Sequence, residues 1–385
     1  MNTMGASIPV PAAILNGKRS YILGKLLGEG TQGICFKSNV EGDKRFDGFE
    51  RDVKRCVVKI GKPLNLPDGD DSPHPLLIER AAYEIPHEGI VKMLDSGMTQ
   101  IPHNGGRVTV PYIVLEELYR HPFHLFNGKA VDPATAIDTF YNLLDHLDEI
   151  HRGDSERGRP GLVLIDVKPD NCMLRMNNPN GEFTVEEVVR RISTGAYEPV
   201  WIDLGCVRHR ATLSSINGEL GEIIGSPLYL PPETFRMADG KILPGTYSEE
   251  TDVYALTITF YNLLTGKRPY EHRGIDGRNA LEIIHAVMDK KLSPYDVTAI
   301  DKLDVTSDAK EAIKTVINAG CAPISLDRPT VRELLKLSRE AFGVKPRLRG
   351  DVAAYRYDTI KGLPCEQTLV ERIDAERYLA MNKVE

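Results

Sequence analysis

The chain has no Cys-x-x-Cys pair, no basic leader and no apolar run long enough to span a bilayer. Its six cysteines, Cys35, Cys56, Cys172, Cys206, Cys321 and Cys365, are widely scattered. That argues against a disulfide framework and suits reduced thiols in a cytosol-like compartment. There is no basic excess either. The net charge is -7, so electrostatics give no support to general nucleic-acid binding. The opening MNTMGASIPVPAAIL is broken by prolines and does not read as a signal peptide. No internal repeat is present. The composition, 41% hydrophobic and 27% charged, is that of a soluble globular protein, and 385 residues allow one large domain or two lobes. The expectation is a soluble, intracellular protein without a membrane span.

The first third reads as strands: YILGKLLGEG, ICFKSNV and CVVKI carry β-branched and apolar residues between glycine or charged loops. A helix is expected at PLLIERAAYEI, and further strands at IVKML and YIVLEEL. From about Ala134 the pattern turns helical, with Ile137, Phe140, Leu143, Leu144 and Leu147 spaced for one helix face. TDVYALTITFYNLLTG, ALEIIHAVMDK, AKEAIKTVINAG and TVRELLKLSREAF extend that pattern. A small β-rich part thus precedes a larger helical part, with a hinge near Glu116 to Tyr119. The stretches from Glu41 to Arg55 and from Asp68 to Ser72 read as charged surface loops.

GEGTQG, with Gly28, Gly30 and Gly33, fits a hairpin whose backbone N–H groups can approach phosphate oxygens without a Cβ in the way. A dinucleotide-binding turn would need a helix next, and the strand-like ICFKSNV follows instead. Lys59 in CVVKI lies among apolar residues, so a buried ammonium there needs a carboxylate partner. Glu79 and Glu84 are the candidates, with Glu79 preferred on its motif spacing to HEGIV. LIDVKPDN ends an apolar run in Asp166, Lys168 and Asn171, and WIDLG ends another in Asp203. Asn171 and Asp203 carry the oxygen donors that Mg²⁺ favours. Asp166 can accept the proton of an attacking hydroxyl, and Lys168 can offset charge on a transferred phosphoryl group.

In order and spacing, GEGTQG, CVVK, Glu79, DVKPDN, DLG and GSPLYLPPE resemble the eukaryotic-like (Hanks-type) serine/threonine protein kinases, over about Tyr21 to Phe342. The resemblance implies an α+β, bilobal protein-kinase-like fold with a β-rich N-lobe over 21–117 and a mainly helical C-lobe over 118–343. An N-terminal extension (1–20), an insertion at about 177–198 and a C-terminal tail (344–385) complete the expected division. It implies Asp166 and Lys168 as catalytic, Asn171 and Asp203 as metal ligands, and ATP with Mg²⁺, or Mn²⁺ in its place, as cofactors. Gly28, Gly30, Gly33, Lys59, Glu79, Glu116 and Leu118 would hold the nucleotide, with Leu115 as gatekeeper. A Glu233–Arg328 brace, Asp252 as anchor of the catalytic loop and protein substrates as partners follow from the same likeness. Lys168 before Pro169, and GSPLY, resemble the serine/threonine branch.

Two departures stand out. Leu164 and Ile165 occupy the place of the family's usual His-Arg, which leaves no ready partner for a phosphate on the activation segment. Activity independent of phosphorylation at Thr212, Ser214 or Ser215 is therefore expected. Asn171 and Asp203 are also 32 positions apart, with a possible capping box at Thr184 and Glu187 in the intervening insertion. His121 and His124 have ligand-like spacing but no gathered partners, so no zinc site is expected. A small-molecule kinase of the aminoglycoside or choline type and a nucleotide-binding pseudokinase scaffold are the rival readings. GSPLYLPPE with LDRPT weighs against the first, and the presence of Lys59, Asp166, Lys168, Asn171 and Asp203 against the second.

Overall fold

A computed structural model describes residues 8–16, 19–30, 32–42, 55–63, 74–85, 87–120, 123, 128–154, 156, 158–176, 191, 196–216 and 222–343. The architecture is α+β and divides into two compact units. The first holds the residues up to Leu118 together with Asp203–Gly205; the second holds Tyr119–Ile202 and the residues from Cys206 onward. The division falls within the segment expected as a hinge. Asp203–Gly205 crosses to the first unit, which a linear split at 117/118 does not reproduce.

In the first unit, β1 (Ala13–Asn16), β2 (Arg19–Glu29), β3 (Gly33–Gly42), β4 (Arg55–Gly61), β5 (Met93–His103) and β6 (Gly106–Glu116) form an antiparallel sheet in the order β1-β2-β3-β4-β6-β5. Alternation along these strands sends Tyr21, Ile34, Phe36, Val58, Ile60, Tyr112 and Val114 into one buried cluster. The sheet curls enough for its opposite edges to meet: Asp95 on β5 accepts bonds from Asn16 on β1 (2.9 and 3.0 Å) and from the Tyr21 hydroxyl on β2.

Two expectations shift here. The segment before Tyr21, set apart as an extension, contributes β1 to the sheet, and Val10 and Ile14 are buried with the core. The strand expected over Ile90–Leu94 begins only at Met93. Ile90 and Val91 are buried at the end of a turn closed by the bond from Ile90 N to the His87 carbonyl (3.2 Å). A short apolar run reports burial, not strand geometry.

Helix α1 (Pro75–Tyr83) follows β4. Pro75 opens it, and His74 caps it by accepting from Leu76 N at 3.0 Å. The same ring bonds the Lys62 carbonyl at 2.8 Å, so the cap also ties α1 to the end of β4.

The second unit is built on helix α2 (Pro133–Arg152) and, later in the chain, helix α4 (Glu249–Thr265), whose Phe140 and Phe260 rings stack at 4.3 Å. Ser248 and Thr251 form a capping box at the start of α4, and left-handed Gly266 ends it. The nearly all-round burial of α4 makes it the unit's central post. β7 (Tyr119–Arg120) precedes α2, and between the two helices run β8 (Leu162–Val163), β9 (Cys172–Arg175), β10 (Glu198–Trp201), β11 (Arg208–His209) and the short helix α3 (Arg210–Ile216). β9 pairs with β7 and β10, and β8 pairs with β11. A hairpin of β12 (Phe235–Ala238) and β13 (Lys241–Pro244) precedes α4. Helices α5 (Ala280–Met288), α6 (Val297–Asp301), α7 (Ser307–Gly320) and α8 (Val331–Phe342) complete the unit. Cys35, Cys56, Cys172 and Cys321 are free thiols. Among the described residues no helix is long and apolar enough to cross a membrane.

Candidate active site

In the first unit, β4 places Lys59 opposite Cys35 of β3 and Ile113 of β6. Its ammonium donates to both oxygens of Glu79 on α1, at 2.9 and 2.7 Å, and to Asp203 Oδ1 at 2.9 Å. Glu84, the other candidate, lies at the end of α1 and pairs with Arg80 at 3.3 Å on the surface. One turn beyond Glu79, Tyr83 donates to Glu79 Oε1 at 3.1 Å and accepts from Asp203 N at 3.2 Å. One phenol thus holds both the acid of α1 and the backbone of the Asp-Leu-Gly turn, where Asp203 has a left-handed φ of 59°.

The Glu79 side chain is fully buried and that of Lys59 is 10% exposed. Burial alone would lower the Lys59 pKa, but the carboxylates of Glu79 and Asp203 outweigh it and hold the ammonium above its ordinary range. Burial raises the Glu79 carboxyl against the pull of that ammonium. Burial also pushes the neighbouring Cys35 thiol up to about 11.

The three glycines differ in why they are needed. A Cβ at Gly33 would lie 2.7 Å from the Ile60 carbonyl oxygen, so β3 and β4 can pair there only without a side chain. A Cβ at Gly28 or Gly30 would meet nothing within 4 Å among the described residues. Protein packing therefore does not require glycine at these two positions, whereas close approach of a phosphate would. At the end of β6, the Glu116 carboxylate accepts from Lys92 N at 2.8 Å, and Leu118 is buried at the unit's last position.

In the second unit, Asp166 is held from two sides. Oδ2 accepts from Lys168 Nζ at 2.8 Å and from Asn171 Nδ2 at 3.0 Å, and Asn171 also bonds the Asp166 carbonyl at 2.8 Å. Oδ1 is buried without a hydrogen-bond partner among the described residues. Lys168 further donates to Ser226 Oγ at 2.8 Å. The Asn171 carbonyl accepts from Ile202 N at 2.9 Å, so the chain leaves β10 fastened to the loop that carries Asp166 one residue before Asp203.

Asp252, fully buried on α4, anchors that loop. Its two oxygens accept from Leu164 N and Ile165 N, each at 2.7 Å, and His151 Nε2 lies 2.9 Å from Oδ2. These bonds hold Ile165 at a φ of 68°, a strained conformation for a β-branched residue. Its side chain is buried in a cluster with Leu213, Leu230, Phe235, Tyr247 and Tyr270. Glu233 and Arg328 form the bidentate brace, at 2.5 and 2.7 Å, with the guanidinium 5.2 Å from the Tyr254 ring centroid.

Sequence reasoning did not single out Tyr83, His151 or Ser226. Ser226 lies inside the quoted GSPLY, but its bond to Lys168 spans 58 positions. His121, His124, Thr184, Glu187, Cys365, the tail from 344 and almost all of the insertion lie outside the described residues. Among the described residues no three His, Cys, Asp or Glu side chains gather as a metal cluster. An amide and a carboxylate would suit Mg²⁺, which keeps several waters and takes phosphate oxygens.

Comparison with known proteins gives a consistent result. The family model described as the protein kinase domain matches residues 78–338, so Gly28, Gly30, Gly33 and Lys59 precede the matched residues. The chain is 28% identical over 293 residues to the serine/threonine-protein kinase PknA of Nostoc sp., covering 71% of this chain and 43% of that protein. It is 27% identical over 198 residues to the serine/threonine-protein kinase Pkn1 of Myxococcus xanthus, covering 51% and 23%. Against the serine/threonine-protein kinase PknB of Mycolicibacterium smegmatis it is 28% identical over 193 residues, covering 49% and 25%. The chain spans less than half the length of these curated relatives.

Proposed function

The chain belongs to the protein kinase family, and on that premise we propose that it transfers the γ-phosphate of ATP to serine or threonine hydroxyls of protein substrates. The observation that carries this reading is the Asp166 carboxylate, with Oδ2 fixed by Lys168 and Asn171 and Oδ1 buried and without a partner among the described residues. An acceptor held in this way can orient a hydroxyl and take its proton. Lys168, turned between Asp166 and Ser226, is the cation that offsets charge on the transferred group.

Gly28 and Gly30 leave room for phosphate oxygens, and Lys59, steadied by Glu79, contacts them. Glu116 to Leu118 supply the backbone edge for the adenine. Asn171 and Asp203 would hold Mg²⁺, which neutralises phosphate charge when bound. The hydroxyl specificity rests on Lys168 before Pro169, on GSPLY and on the printed names of the relatives. Ile165, apolar and buried, offers no charge to a phosphate on the activation segment, which supports activity without phosphorylation there.

The test is transfer from γ-labelled ATP with Mg²⁺, to the chain itself and to generic protein substrates, beside Asp166→Asn. Loss of a positioned base costs about 10²- to 10⁴-fold, so label on serine or threonine should all but vanish in the variant. Absence of label from both proteins despite tight Mg·ATP binding would replace this reading with a small-molecule kinase. Absence of nucleotide binding as well would replace it with a pseudokinase scaffold.

A further inference from the structure

The second unit connects its activation segment to its catalytic loop by a line of charged and polar side chains. β11 pairs with β8, and Arg210 at the start of α3 donates its backbone N–H to the Gly161 carbonyl at 2.9 Å. The Arg210 guanidinium Nε lies 3.0 Å from Glu249 Oε2, on the first turn of α4. The other oxygen of Glu249 faces His151 Nδ1 at 3.7 Å. The far side of that buried ring meets Asp252 Oδ2 at 2.9 Å, and Asp252 holds the amides of Leu164 and Ile165.

We propose that Glu249 is an internal anchor for the activation segment, and that Arg210 is a positioning residue acting through Glu249, His151 and Asp252 on the backbone of the catalytic loop. This rests on the kinase reading above and adds how the segment is held. The polarity is the reverse of a phosphate docking on an arginine of the loop: here the cation is on the segment and the anion belongs to the helix.

The geometry gives the line a graded character. Its outer pair is half exposed, with Arg210 at 54% and Glu249 at 30%, whereas His151 and Asp252 are buried at 5% and 0%. The inner half is therefore built into the core and the outer half is adjustable. The loop it acts on is the one place where the adjustment matters, because Ile165 keeps its left-handed backbone only while Asp252 holds both amides.

The test uses the full chain as wild type, Arg210→Glu, Arg210→Lys, Glu249→Arg and the charge swap Arg210→Glu/Glu249→Arg. Amide hydrogen exchange at Leu164 and Ile165 is measured together with kcat and KM for ATP. A pair this exposed is worth about 2- to 5-fold in an equilibrium constant. Exchange at both amides should quicken by about that factor in Arg210→Glu, and kcat should fall to match while the KM for ATP holds. Arg210→Lys should stay near wild type, and the swap should recover most of both losses. Unchanged exchange at Leu164 and Ile165 in Arg210→Glu, or a swap no better than the single variants, overturns the proposal. A wild type that transfers no phosphate would remove the kinase reading, while the exchange measurement still decides the anchor.

Discussion

Removing Lys59 and removing Glu79 should not be equivalent, although both break the same ion pair. In Lys59→Met the fully buried Glu79 carboxylate keeps, among the described residues, only the Tyr83 hydroxyl, at 3.1 Å. An uncompensated buried charge costs about 3–5 kcal/mol. In Glu79→Gln the Lys59 ammonium keeps Asp203 at 2.9 Å, so the loss is that of charged hydrogen bonds, about 1.5–3 kcal/mol.

The two variants should also respond differently to pH. The Glu79 carboxyl is already raised by burial, and without the ammonium that opposes burial it must rise further. A group whose folded pKa is raised loses its stabilising contribution as pH climbs from the unfolded value toward the folded one. Lys59→Met should therefore recover stability on acidification toward the unfolded carboxyl pKa, with a slope limited to about 1.4 kcal/mol per pH unit. Glu79→Gln and the double variant should lack this extra slope. Urea denaturation at pH 5.5 and pH 8 for all three measures it. A Lys59→Met penalty that is equal at both pH values, or smaller than that of Glu79→Gln, would refute the reasoning. Stability is the readout throughout, so the test does not depend on activity.

The Cys35 thiol, pushed up to about 11, should favour the fold below its unfolded pKa and lose that contribution as pH rises toward 11. Cys35→Val should flatten the fall in thermal stability between pH 8 and 10, by about 1 kcal/mol at the upper end, while an unchanged slope would contradict this origin. Arg328→Lys should destabilise nearly as much as Arg328→Ala, by about 3 kcal/mol, since a single ammonium lacks the planar fork that reaches both oxygens of Glu233 and the Ala322 and Glu250 carbonyls together; chemical denaturation decides between them. Replacing Thr212, Ser214 and Ser215 together with Ala should leave turnover nearly intact in a steady-state assay. A large loss would show that the segment needs phosphate after all.

Much of the site was legible because its motifs are local. Asp166, Lys168 and Asn171 sit within six positions, and their mutual bonds are short-range consequences of that spacing. The helical phase of α2, α7 and α8 was equally plain, since a 3.6-residue period shows in any amphipathic segment. The order of glycine hairpin, lysine strand and Asp-Leu-Gly turn carried the family likeness before any coordinate.

Tertiary packing decided the rest. Glu79 and Glu84 are five positions apart, about 140° around a helix, and only the packing of α1 shows which of them faces Lys59. Lys168 finds Ser226 across 58 positions, and His151 finds Asp252 across 101. Tyr83 reaches a backbone amide 120 positions away. Nothing in the local pattern announces such pairs, because the cost of burying each polar group is met by a partner that only the folded chain brings within reach. The residue types of the proposed chemistry, and their order, could be read from the chain alone. The tertiary structure decided which side chains hold that chemistry in place, since hydrogen bonds are made between neighbours in space and not between neighbours in the chain.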